Sequence, residues 1–283
     1  MQPRLLTALY TSLAMVAFAS NSLLNRLALG RESIDAVSYT TIRLTSGALA
    51  LWLIASLKKN NTGPKVRGGW LSASMLFLYA IAFSFAYLSL SAGTGALILF
   101  GTVQLTMVLA ALRSGERPQL LEWLGLLLAS SGLVYLVIPG LQAPSLVGSA
   151  LMTLAGTAWG VYSLRGRGSS SPLADTAGNF LRAVALIVLV RLILLNDLHL
   201  TVSGILLAVL SGAIASGVGY VIWYTALAGL TATRAAIVQL SVPVLAAWGG
   251  VALLSEDVSL RLILAGILIL GGIALTILRR RKA

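Results

Sequence analysis

The chain contains no cysteine, a single histidine and only eight acidic residues. Without cysteine there is no disulfide framework, no thiolate metal site and no cysteine nucleophile. His199 stands in a polar patch with Asn196 and Asp197, which leaves no histidine for a metal cluster or a Ser-His-Asp triad inside an apolar segment. Neither enzymatic activity nor a metal or cofactor is therefore expected. Charged residues make up 10% of the 283, against roughly 25% in soluble domains. A chain that is 58% hydrophobic, with a mean hydropathy of +0.94, has little surface to offer water, so its solvent is lipid. The net charge of +12 would point to nucleic acid in a soluble protein. In a chain this apolar it reflects the lysines and arginines that collect in cytoplasmic loops, and no nucleic-acid partner is expected.

Long apolar runs dominate instead. They fall at about 5–28, 36–57, 69–90, 94–113, 120–138, 145–164, 174–195, 203–226, 233–254 and 259–278, each near the roughly 20 residues that a spanning helix needs. They are about twice as long as a barrel strand and lack its polar alternation. The expected fold class is thus an all-α integral membrane protein with ten transmembrane helices. With the N-terminus placed in the cytoplasm, the inner segments collect 14 of the 20 basic residues: Arg4, then Lys58, Lys59, Lys65 and Arg67, then Arg113 and Arg117, then Arg165 and Arg167, then Arg234, and last Arg279, Arg280, Arg281 and Lys282. The outer segments hold three, Arg26, Arg31 and Arg261. That asymmetry predicts both termini on the cytoplasmic side. A competing reading takes the first run as a signal peptide cleaved at Ala17-Phe18-Ala19; it leaves nine spans and breaks the symmetry described next.

Offset by about 140 residues, the chain resembles itself. Ala17-Phe18 meets Ala158-Trp159, Ser22 meets Ser163, Ala96 meets Ala236, Glu116 meets Glu256, Leu128 meets Leu268 and Gly132 meets Gly272, while a two-residue gap aligns Arg43 with Arg182. The units are 1–141 and 142–283, with five spans each. An odd number of spans forces the two copies into opposite orientations. Inverted repeats recur in secondary transporters, which bind substrate near the bilayer midplane between the halves.

Polar and aromatic side chains within spans mark the inward faces. Tyr79, Phe83 and Tyr87 recur every fourth residue in the third span, and Tyr220, Trp223 and Tyr224 share a face of the eighth. Asn21 with Asn25, Trp159 with Tyr162 and Ser163, Gln104, and Gln239 with Ser241 add amides, hydroxyls and further rings. The expected substrate-binding set is Asn21, Tyr79, Phe83, Tyr87, Gln104, Trp159, Tyr162, Tyr220, Tyr224, Gln239 and Ser241, a lining suited to small, partly apolar solutes. Trp52, Trp70 and Trp123 lie at span ends, where aromatic side chains anchor helices at the headgroups. Arg43 and Arg182, inside the second and seventh spans, are candidate charge sites: either they receive a substrate carboxylate, or they cap carbonyls and snorkel. All eight acids, Glu32, Asp35, Glu116, Glu122, Asp175, Asp197, Glu256 and Asp257, lie in loops or at span ends. Obligatory proton coupling through a buried carboxylate is therefore not expected.

The second-span pattern T-I-R-L-T-S-G-A-L-A around Arg43, the run W-Y-T-A-L-A-G-L-T-A-T-R-A-A over 223–236, Pro243 in L-S-V-P-V and Glu256 in L-L-S-E-D resemble the drug/metabolite transporter superfamily, specifically its ten-span type with two EamA repeats. Within it the chain is most similar to the YddG-type exporters of aromatic amino acids. The resemblance implies eight helices around a central cavity with the fifth and tenth peripheral, a bacterial inner-membrane location, amino-acid substrates and a monomer in the bilayer. Val103 stands where the repeat offset places the fourth-span proline, so that helix is expected to bend less. The alternatives within the superfamily are a lipid-carrier flippase or a carrier of another metabolite class.

Overall fold

Lipid offers no partner for a backbone N–H or C=O, so a chain of apolar runs satisfies these groups within helices. In the computed structural model, which describes residues 3–29, 33–57, 67–90, 92–137, 145–193, 198–254 and 260–278, the helices lie where the runs predict them. They are α1 (Pro3–Leu29), α2 (Ala36–Leu57), α3 (Trp70–Ala86), α4 (Ala92–Arg113), α5 (Leu120–Val137), α6 (Leu146–Gly166) and α7 (Pro172–Ile193). There follow α8 (Val202–Leu227), α9 in two pieces (Ala232–Val238 and Ser241–Leu254) and α10 (Leu260–Leu278). No strand occurs among the described residues; an isolated bridge joins Ile34 to Leu200. Asp35, Ser145, Thr201 and Thr231 cap α2, α6, α8 and α9 by accepting bonds from the N–H groups of Ser38, Gly148, Gly204 and Arg234.

The distribution of polarity is the reverse of a water-soluble bundle. Leu5, Leu9, Leu13 and Val16 form an exposed apolar stripe along α1, and Leu260, Ile263, Leu264 and Ile267 another along α10. Asn21, Asn25, Thr40, Arg43, Ser211 and Gln239 are buried. Apolar surface on this scale needs a lipid partner. Four helices, Leu5–Leu29, α2, α7 and α8, have the length and apolarity to cross a bilayer on these criteria alone. Shorter apolar stretches among the described residues are Trp70–Ala86, Ile98–Arg113, Leu120–Gly132, Ala232–Ala246 and Gly266–Leu275. In α3 the helix stops at Ala86, and Tyr87 caps it where the run extends to residue 90.

The principal packing pairs are α1 with α8 and α9, α2 with α7 and α8, α3 with α6 and α7, α4 with α6 and α9, and α5 with α10. Exchanging α1–α5 for α6–α10 maps this set onto itself, as two equivalent repeats require. The fifth and tenth helices pair chiefly with each other.

Two local departures shape the middle of the molecule. In α9, proline at 243 removes the N–H that would bond to the Gln239 carbonyl and crowds that oxygen. Val242 N–H bonds to it instead at 3.1 Å, and the helix is interrupted between Val238 and Ser241. At the corresponding place α4 carries Val103 and runs unbroken, as the missing proline predicts. In α8, residues Ser211–Val218 widen into a π-helical segment. Its glycines allow a close crossing of α2, since a side chain on Gly212 would overlap the Arg43 carbonyl and the Ser46 hydroxyl.

Candidate functional site

Where the halves meet, their rings form one cluster. Trp159 on α6 touches Phe18 on α1 edge to face (centroids 5.1 Å apart, planes at 90°), Tyr79 on α3 (4.9 Å) and Tyr220 on α8 (4.7 Å), and lies nearly parallel to Tyr162 at 5.6 Å. Phe83 and Tyr87 extend the cluster along α3, and Tyr224 extends it from Tyr162. The Trp159 indole N–H donates to Gln239 Oε1 at 2.7 Å. Gln239 Nε2 in turn donates to the Ala235 carbonyl at 3.0 Å and sits 3.3 Å from Met107 Sδ, so the break in α9 holds a fully satisfied amide against the central tryptophan.

The repeat offset of the sequence recurs here as contact. Phe18 and Trp159, equivalent in the two units, meet face to edge. Tyr79 and Tyr220 are also equivalent, and their hydroxyls both accept from Arg43 Nη2, at 3.5 and 2.8 Å. Arg43 Nε donates to Ser216 in the π-helical segment at 3.0 Å, and its Cζ lies 5.4 Å from the Tyr79 ring centroid. Its own counterpart is elsewhere: Arg182 Nη1 donates to the carbonyls of Arg67 and Gly178 at 2.8 and 2.9 Å, and its guanidinium faces Trp70 at 5.9 Å. Arg182 thus closes the start of α7 onto the segment before α3, one of the two roles its position in the seventh span allows.

Of the other expected residues, Asn21 accepts a bond from Ser211 and borders the cluster. Gln104 instead faces α5, accepting from Ser130 at 3.3 Å. Ser241 bonds back to the Val238 carbonyl at 2.7 Å. The space among the rings is only about 20 Å³, bounded by Phe18, Asn21, Tyr79, Phe100 and Trp159 among others, because edge-to-face rings interdigitate and fill it. A larger cavity, about 580 Å³, lies to one side, between the N-terminal half of α1, Gly229 and Leu230, α9 and α10. It is of the size that holds a small molecule, and Ser241 is the one expected residue in its lining. Met15, one turn before Phe18, and Val238, next to Gln239, also line it, so it abuts the ring cluster. Sequence reasoning did not single out Phe18, Ser211, Ser216 or Met107 as site residues. The small-residue string S-G-A-I-A-S-G-V-G at 211–219 was the available signal for the close crossing that brings both serines inward.

The described acids bind loops at the two ends. Glu116 ties three loops together, through Arg167 at 3.1 Å, the Ala232 N–H at 3.2 Å and the Thr233 hydroxyl at 3.4 Å. Glu122 pairs with Arg234 at 3.0 Å, and Asp175 accepts from Ser169 and from the Gly68 N–H. At the other end Asp35 accepts from the His199 N–H at 3.1 Å and lies 3.9 Å from Arg191. The first group joins the loops after α2, α4, α6 and α8, and the second those after α1 and α7. Such grouping follows when successive helices run in opposite directions.

The EamA-like transporter family matches twice, over residues 5–138 and 146–278. The chain belongs to this family. It is a membrane transporter with the two-repeat EamA layout. Among relatives, a protein of Pseudomonas aeruginosa described as uncharacterised is 54% identical over 274 residues, covering 97% of this chain and 95% of its own. An uncharacterised transporter of Archaeoglobus fulgidus is 25% identical over 292 residues, covering 98% and 99%. A solved crystal structure shares the fold with a TM-score of 0.78 at 21% identity, over 96% of this chain and 99% of that one.

Proposed function

We propose that this EamA transporter exports amino acids with aromatic or otherwise partly apolar side chains across a bacterial inner membrane, in the manner of the YddG-type exporters. Two inverted halves, 1–141 and 142–283, rock about the ring cluster and expose it to each side in turn. The observation that carries the reading is the cluster itself, in which Phe18 and Tyr79 of one half pack on Trp159 and Tyr220 of the other. Ring faces and edges at a joint that must open and close are a natural place for an aromatic solute to substitute for its neighbours. Both termini are cytoplasmic in this reading, on the strength of the basic-residue asymmetry. A reporter fused after Ala283 is expected to be active in the cytoplasm; activity in the periplasm would reverse the orientation.

The protein acts as a monomeric facilitator that lets amino acids run down their own gradient. The support is chemical: among the described residues the acids sit at the helix ends, bound to loops, and arginine does not titrate near neutral pH. Purified protein in liposomes tests both points with labelled tryptophan, phenylalanine, leucine and lysine, with and without an imposed proton gradient. Tryptophan and phenylalanine are expected to equilibrate saturably and not to accumulate. Failure to move any amino acid refutes the substrate class, and gradient-driven accumulation abolished by D175N refutes the facilitator. A lipid-carrier flippase is the second reading, favoured by the largely apolar 580 Å³ cavity beside Arg234. Scrambling of a lipid-linked oligosaccharide probe in the same liposomes, without amino-acid uptake, would select it.

A further inference from the structure

Arg43 is 1% exposed, yet among the described residues no carboxylate reaches it. Its Nε and Nη2 are taken by Ser216, Tyr220 and Tyr79, all neutral hydroxyls. Its Nη1 is buried and has no hydrogen-bond partner. An unmatched cation so far from water is costly, and a merely structural arginine has a cheaper solution. Arg182, its repeat counterpart, adopts that solution by donating to two backbone carbonyls, that of Gly178 one turn back on its own helix and that of Arg67 in the segment before α3. Arg43 lies instead against the ring cluster, facing the Tyr79 and Phe83 rings and bonded to Tyr220, with three of its contacts fixing the guanidinium and one nitrogen left over.

We propose that Arg43 is the anion-binding residue of the transport site and takes the carboxylate of the substrate on its Nη1 side. This rests on the proposed amino-acid reading and adds the group that recognises the α-carboxylate. Tyr79 joins the two parts of the site: its ring centroid is 5.4 Å from Arg43 Cζ and 4.9 Å from the Trp159 ring. A solute with a carboxylate at one end and an apolar side chain at the other therefore meets charge and ring surface along one wall. The hydroxyls of Tyr79 and Tyr220 hold the guanidinium so that little is spent on orienting it when the anion arrives. The specificity follows from the same arrangement. A ligand of the same shape without the carboxylate leaves the buried cation unpaired and is rejected.

Thermal unfolding of the purified full-length protein, titrated with L-tryptophan, L-tryptophanamide, L-leucine and L-leucinamide, tests the assignment. Wild-type protein is expected to bind tryptophan roughly 10- to 100-fold more tightly than its amide, the range of a hydrogen bond to a charged group. In R43Q that ratio is expected to fall to near one, and in R43K to be kept in part, because lysine retains the charge without the planar fork. Equal binding of acid and amide by the wild type overturns the proposal, whether or not R43Q folds. So does an acid preference that survives in R43Q, or an absence of binding by either acid. If leucine binds as tightly as tryptophan and both preferences depend on Arg43, a preference of the ring cluster for aromatic over aliphatic side chains fails and the Arg43 assignment stands. If tryptophan is transported but no better bound than its amide, the assignment fails and the transport reading stands.

Discussion

Replacing Trp159 by alanine is expected to cut tryptophan uptake into proteoliposomes at least about tenfold, the largest loss from any single ring. The side chain meets the rings of Phe18, Tyr79, Tyr162 and Tyr220 and donates to Gln239. A ring pair contributes about 0.5–1.5 kcal/mol beyond its buried area, and with the apolar surface lost as well an aromatic substrate deprived of its contact with Trp159 loses roughly a factor of ten or more. The change also leaves the side-chain oxygen Oε1 of Gln239 without its donor, a cost of about 1–3 kcal/mol, and the unfolding temperature is expected to fall. W159F separates the two contributions. It keeps most of the ring surface and removes the N–H, so it should retain more uptake than W159A while sharing part of its thermal loss. Normal tryptophan uptake by W159A, at matched protein per vesicle, would end the idea that the ring cluster binds substrate.

The second large effect is expected at Gly212. A valine there must push α2 from α8, because the added carbon meets the Arg43 carbonyl and the Ser46 hydroxyl, and a backbone carbonyl cannot swing aside as the end of a long side chain can. Overpacking of this kind costs about 1–3 kcal/mol and sometimes more. In this case it also displaces Ser216, which holds Arg43 at 3.0 Å. G212V is expected to lower the unfolding temperature in detergent and to weaken acid-over-amide discrimination together. Gly101 is the control: nothing lies within 4 Å of a carbon added there, so G101A is expected to be neutral or slightly stabilising, as alanine is in a helix. Equal behaviour of G212V and G101A would show that the α2–α8 crossing is not tight.

Much of the architecture is legible without coordinates, because lipid imposes a single solution on an apolar run: a helix of a given length. The starts of α2, α5, α6 and α8 fall at or next to the expected residues. The capacity of Pro243 to interrupt α9, and of Val103 to leave α4 whole, follows from the backbone chemistry of one residue. The self-similarity of the sequence at an offset of about 140 reappears as packing, with Phe18 against Trp159 and Tyr79 beside Tyr220.

What the periodicity of a single helix cannot decide is which neighbour an inward face meets. Gln104 and Gln239 are the same residue type on corresponding helices, yet one bonds Ser130 on α5 and the other bonds Trp159 at the centre. Arg43 and Arg182 are a repeat pair of identical chemistry, yet one is enclosed by tyrosines while the other donates to backbone carbonyls of its own helix and of the segment before α3. Composition and spacing settled that this is a bundle of apolar helices in two related halves with its polar groups inside. Only the tertiary packing, through the close glycine crossing of α2 and α8 and the interruption of α9, decided which of those polar groups share a site, since that depends on distances between helices that no single helix encodes.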